Sequence, residues 1–153
     1  MTFDSEKLLD LTGWQILEIL QVEARISFAE LGRKVGLSAP AIAERVKRME
    51  ETGIITGYHA QVHPEKVGYP IAAIIALTTT PQQYPQILAV IQALPEVRSC
   101  HHVTGNVSFF MEVTVSSMTH LEEIINQLSQ FGQTSTSIIL SSPLPRRGIM
   151  GSE

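Results

Sequence analysis

Few side chains in this 153-residue sequence are spaced for covalent chemistry. His101 and His102 are adjacent in a strand-like run, so they point to opposite faces and cannot ligate one ion from one chain. His59 and His63, among linker acids, have no zinc spacing. Cys100 is the only cysteine, which excludes an internal disulfide, and Val97 and Val103 around it mark a strand residue rather than a nucleophile. No Ser/His/Asp arrangement or phosphate-cradling glycine loop is present. The expectation is a protein without catalytic residues, metal or cofactor, and not an enzyme.

Another chemistry is written between Ser27 and Ile55, SFAELGRKVGLSAPAIAERVKRMEETGII. From Arg33 to Arg48 there are five cations (Arg33, Lys34, Arg45, Lys47, Arg48) against Glu44 alone, a local balance of +4 in a chain of net charge −4. A focused basic footprint suits phosphates or base edges, whereas the acidic total argues against a nonspecific nucleic-acid coat. So small a footprint needs two copies to reach useful affinity.

Two helices must carry those cations. Ser27 with Glu30 three residues on is a capping box, Leu31 and Val35 share a face, and Gly36 supplies the freedom to end the helix. Leu37 reads as a core plug in the turn. Ser38 is the next N-cap, Pro40 is tolerated in a first turn, and Ile42, Val46 and Met49 continue the apolar stripe until Gly53 closes the helix. At about 100° per residue the opposite face holds Pro40, Ala41, Glu44, Lys47 and Arg48, with Arg45 on the flank. The small residues Ala39, Ala41 and Ala43 allow close approach to base edges. This is helix-turn-helix geometry, and it makes Ser38, Ala39, Pro40, Ala41, Glu44, Arg45, Lys47 and Arg48 the candidate DNA-binding residues. Upstream, Thr12 reads as the cap of a third helix through Trp14 to about Val22.

After Gly53 the grammar changes. Ile54 to Tyr58 reads as a short strand, and the stretch to Pro70 as a linker. Ile71 to Thr79 is a continuous apolar run, and Tyr84 to Leu94 has helical spacing. Val97 to Thr104 and Val107 to Val115 read as strands around Gly105-Asn106. A helix capped by Ser117 or Thr119 follows, then a strand from Thr134 to Leu140. The order βαββαβ predicts a ferredoxin-like layer of helices on one face of a four-stranded sheet. Its open face, with strands rich in Ile, Val and Phe, is expected to be covered by a second copy. The fold class is α+β, with a helix-turn-helix (winged-helix-like) domain at residues 1–60, a linker at 61–70, the ferredoxin-like domain at 71–142 and a tail at 143–153. The tail's last stretch, RRGIMGSE at 146–153, is expected to be poorly ordered unless a partner pins it. No apolar run spans a bilayer and the acidic N-terminus lacks a signal-peptide core, so the expectation is a cytoplasmic protein without a membrane partner.

This arrangement resembles the Lrp/AsnC, or feast/famine, transcription regulators. The residues that carry the likeness are ILEILQVEARISFAELGRKVGLSAPAIAERVKRMEETGIITGY, the linker pair Gly68-Tyr69, and EVRSCHHVTGNVSFFMEV from Glu96 to Val113. The last block is similar to the family's V-x-G-x-x-D hairpin. The resemblance implies a sequence-specific regulator of double-stranded DNA, a homodimer assembling to a tetramer or octamer. It also implies a small effector such as an amino acid bound between dimers, at Thr104, Gly105, Asn106 and Ser108.

The chain departs from the pattern at Ser108 and Gly13, where most and many members respectively have Asp. A carboxylate makes a charge-assisted bond to an ammonium, and a hydroxyl only a weaker neutral one. The asparagine-responsive branch resembles this chain in a G-x-x-S sequence, a Tyr84-Pro85 helix start and a Ser142-Pro143 ending. The alternatives are an architectural DNA-binding protein without effector, and a ligand-sensing subunit whose helical domain binds protein.

Overall fold

The computed structural model describes residues 7–144 and 147–151. The chain forms two compact units, one from residues 1–61 with 144–153 and one from 62–143.

The first unit is built on α1 (Leu11–Val22), α2 (Phe28–Val35) and α3 (Ala39–Glu51). Ile16, Leu31, Ile42, Val46 and Met49 are its sealed centre, the positions that helical periodicity places on one face. The start of α1 differs from the sequence expectation. Asp10, not Thr12, is the N-cap, its carboxylate accepting the Gly13 N–H at 2.7 Å. An ionised cap satisfies the helix's unpaired amides better than a hydroxyl. The expected strand at Ile54 to Tyr58 is also absent among the described residues, for the segment has no ladder partner within the chain. Tyr58 instead donates its hydroxyl to Glu50 on α3 at 2.9 Å, and burial, with that carboxylate, pushes the phenol up to about 12.

The tail also departs from expectation, because residues 147–151 are pinned by their own chain. The Gln21 amide donates to the Ile149 carbonyl at 2.9 Å and accepts the Ile149 N–H at 2.7 Å. Gly151 lies against the Trp14 indole so closely that a Cβ there would press into the ring.

The second unit is the ferredoxin-like layer. Strands β1 (Ile71–Thr78), β2 (Val97–His102), β3 (Phe109–Val115) and β4 (Gln133–Ile138) form an antiparallel sheet in the order β2-β3-β1-β4. Helices α4 (Tyr84–Ala93) and α5 (Met118–Ser129) supply Ile87, Ile91, Leu121, Ile124 and Leu128 to a core with Ala73, Ile75, Leu77, Phe109, Met111 and Val113. Ser117 caps α5, accepting the His120 N–H at 3.1 Å. Register decides what the open face carries. Ala72, Ile74 and Ala76 on β1 lie beside Thr114, Glu112 and Phe110 on β3, while Ser135 and Ser137 occupy the same face of β4. That face is thus a narrow apolar strip, with Ile74 and Phe110 41% and 39% exposed, between polar margins. The Val and remaining Ile side chains of β1 and β3 point to the helices, so the face is less apolar than strand composition implies.

Candidate nucleic-acid interface and effector loop

The turn between α2 and α3 aims the basic helix. Gly36 ends α2 in the left-handed region at φ 75°, and Ser38 caps α3 by accepting the Ala41 N–H at 3.4 Å. A second glycine escaped the sequence reading. Gly32 is buried, accepts the Leu37 N–H at 2.9 Å, and lies so near the Leu37 carbonyl that any Cβ would collide with it. A side chain there would force the two helices apart.

On the far side of α3, Ser38, Pro40, Glu44, Lys47 and Arg48 are exposed, while Ala39, Ala41 and Arg45 are half-buried. The cations are not equally available. Arg45 grips Asp10 with both terminal nitrogens, Nη1 to Oδ1 at 2.8 Å and Nη2 to Oδ2 at 2.7 Å. That fork holds the Asp10 carboxyl below its ordinary value and raises the guanidinium, so Arg45 braces α3 against α1 as well as facing outward. Lys47 lies 3.7 Å from Glu51, and Lys34 3.5 Å from Glu23. Of the five cations, only Arg33 and Arg48 lack an ion-pair partner among the described residues. The local +4 read from the sequence is therefore largely matched by acids outside the counted window.

In the second unit, Thr104, Gly105 and Asn106 are exposed on the β2–β3 connection, with Gly105 at φ 110°. Thr78 donates its hydroxyl to the Asn106 carbonyl at 3.1 Å and ties the loop to the end of β1. Ser108 belongs to a different layer. It is 7% exposed, its hydroxyl accepts the Thr79 N–H at 3.1 Å and donates to the Thr79 carbonyl at 3.0 Å, and its own N–H donates to the Leu77 carbonyl at 2.9 Å. The hydroxyl's one proton and one of its two lone pairs are committed to Thr79, so Ser108 forms a clasp that sets the loop's base. Thr79, which carries no motif signal in the sequence, forms the other half of that clasp and donates its own hydroxyl to the Phe131 carbonyl.

Beside the loop, His102 stacks on Phe109 at 4.9 Å and Tyr84 meets both edge-on. Adjacent His101 pairs with Phe110, so the two imidazoles do lie on opposite faces. Burial alone pushes the Cys100 thiol up, as suits a packed strand residue. The structure also assembles a side-chain relay that no motif or spacing announces. Ser116 Oγ lies 3.1 Å from His120 Nδ1, and His120 Nε2 3.0 Å from Glu96 Oε1, joining the start of α5 to the start of β2.

Comparison with known proteins divides the chain in a similar way. Residues 9–50 match the AsnC-type helix-turn-helix domain, and residues 72–149 the Lrp/AsnC ligand binding domain. The HTH-type transcriptional regulator LrpC of Bacillus subtilis is 35% identical over 133 residues, covering 87% of this chain and 92% of the relative. Regulatory protein AsnC of Escherichia coli is 33% identical over 144 residues, covering 91% and 95%. Among solved structures, B. subtilis LrpC superposes with a TM-score of 0.86 at 33% identity, covering 90% of this chain and 99% of that one. A Neisseria meningitidis transcriptional regulator solved as an L-Met complex gives a TM-score of 0.86 at 26% identity, covering 92% and 96%.

Proposed function

The chain belongs to the Lrp/AsnC family of transcriptional regulators, and from that premise we propose that it binds an operator sequence-specifically and that an amino acid adjusts the affinity. The observation that carries the proposal is the outward face of α3, where Pro40, Ala41 and Glu44 lead to an Arg48 with no ion-pair partner among the described residues. Small side chains at the amino end let the helix enter a major groove, and Arg48 follows as a phosphate or base contact. Arg45 and Lys47 flank it, and Ser38 and Ala39 fix where the helix begins.

Two copies are needed, since one helix offers few contacts. The apolar strip of Ala72, Ile74, Ala76 and Phe110 supports pairing through the sheets, a homodimer that assembles further to a tetramer or octamer. The ligand binding domain match and the L-Met complex of a structural relative support an amino acid as the effector. Its contacts are drawn from Thr104, Gly105 and Asn106, with Ser108 holding the loop's base, in a cytoplasmic protein. The effector changes operator affinity only by as much as it prefers one assembly over another.

The test is a thermal-shift screen of the full chain against the twenty amino acids. One ligand at 100 times its dissociation constant stabilises by about 2.7 kcal/mol. A shift with one amino acid or a related group is the expected result; no shift with any of them refutes the amino-acid effector and leaves an architectural DNA-binding protein.

A further inference from the structure

A cavity of about 230 Å³ opens beside α3, lined by Lys7, Leu8, Arg45 and Arg48. We propose that this cavity seats one phosphodiester group of the DNA backbone, with Lys7 as a contact outside the helix-turn-helix proper; the proposal rests on the DNA-binding reading above.

The chemistry of the walls selects the ligand. Three cations line the cavity, no carboxylate is among its described lining residues, and Asp10, the partner of Arg45, is already engaged by the Gly13 N–H and by both terminal nitrogens of that arginine. The remaining field is that of an anion site. Arg45 is held in one orientation by that grip, with its other N–H donors uncommitted to it, while Lys7 and Arg48 have no ion-pair partner among the described residues. A fixed guanidinium flanked by two movable cations can meet a tetrahedral anion from several sides. The volume falls below the roughly 300 Å³ at which sites for drug-sized ligands begin. Arg48 belongs both to the seat and to the outward face of α3, which places a phosphate in the seat next to the groove that α3 enters. That shared residue favours the duplex backbone over free phosphate.

Lys7 is brought there by a close approach at Gly13, over which the Leu8 carbonyl packs so tightly that any Cβ would collide. The missing side chain lets the helical pair Lys7 and Leu8 lie close against the start of α1, with Leu8 buried beneath the cavity. A β-carbon at position 13 would lift Lys7 from the seat.

The experiment follows binding of the full chain to a mixed-sequence DNA duplex across 50 to 200 mM salt. Each phosphate contact contributes about 0.9 to the slope of log affinity against log salt. Lys7→Gln should flatten the slope by about 0.9 per protomer, equivalent to about 3.5-fold less loss of affinity per protomer over that range. Gly13→Ala should flatten it equally, and the double variant no further. An unchanged slope for Lys7→Gln overturns the seat while leaving DNA binding intact; failure of the wild-type chain to bind the duplex refutes the underlying reading instead. Inorganic phosphate is the second probe. A melting shift that is lost in Lys7→Gln, with an unchanged DNA slope, would assign the seat to a free anion and overturn the backbone proposal.

Discussion

Replacing Ser108 by Ala separates a clasp from a ligand contact. The hydroxyl makes two hydrogen bonds to the Thr79 backbone, one accepted at 3.1 Å and one donated at 3.0 Å, from a side chain 7% exposed. A typical internal hydrogen bond contributes about 1 kcal/mol net, and a buried group left without a partner costs about 1–3 kcal/mol. Thr79 is itself half-buried, so water can reach part of the vacated space, and Ala fits with little loss of packing. The expected destabilisation is therefore about 1–2 kcal/mol, near the sum of the two net terms rather than of two desolvation penalties. For a domain of 60–100 residues each kcal/mol lowers the melting temperature by roughly 4–8 °C. Scanning calorimetry of the full chain, at one protein concentration for both proteins, should show that fall. The companion measurement is the stabilisation by the amino acid identified in the thermal-shift screen, which should survive at slightly reduced affinity. An unchanged melting temperature together with a lost ligand response would refute the clasp and make Ser108 a direct contact.

Asp10 and Gly105 yield further predictions. The folded carboxyl of Asp10 lies below its ordinary value of 3.8, chiefly through the Arg45 fork, so its stabilisation is present above that value and lost as pH falls through the lower folded one. Asn caps a helix as well as Asp does, so Asp10→Asn should leave α1 formed. Denaturant titrations should show a gap between the two proteins that is constant from neutral pH to about 5 and closes below about 4. Gly105 sits at φ 110°, where a β-branched residue is strained. Gly105→Val should distort the exposed loop and weaken effector binding at least tenfold, about 1.4 kcal/mol, while sedimentation shows the same assembly; a normal ligand response would remove the loop from the effector site.

The legible parts of the sequence were those written by local rules. Ser27, Gly36, Ser38 and Gly53 punctuate two helices in a way that backbone geometry alone dictates, and Ile42, Val46 and Met49 fix which face turns inward. The element order βαββαβ followed from the alternation of strand-like and helical apolar runs. What escaped was set by contacts distant in sequence. Asp10 outcompetes Thr12 as cap partly because Arg45, on another helix, holds its carboxylate. Ser108 reads as a ligand contact from its motif position, whereas its clasp to Thr79, just past the end of β1, is a long-range contact. Gly32 carried no turn signal of its own, since its need is the carbonyl of Leu37 rather than an unusual φ. Gln21, an ordinary polar residue by sequence, holds the tail through the backbone N–H and carbonyl of Ile149.

The central claim is an operator whose occupancy responds to an amino acid. Footprinting the full chain on fragments of its own genome, with and without the amino acid from the thermal-shift screen, tests it most directly. Protection is expected at half-sites one helical turn or a multiple apart, changed in extent or affinity by that ligand and weakened in Arg48→Ala. Uniform coating without discrete sites, or sites indifferent to every amino acid, would contradict it.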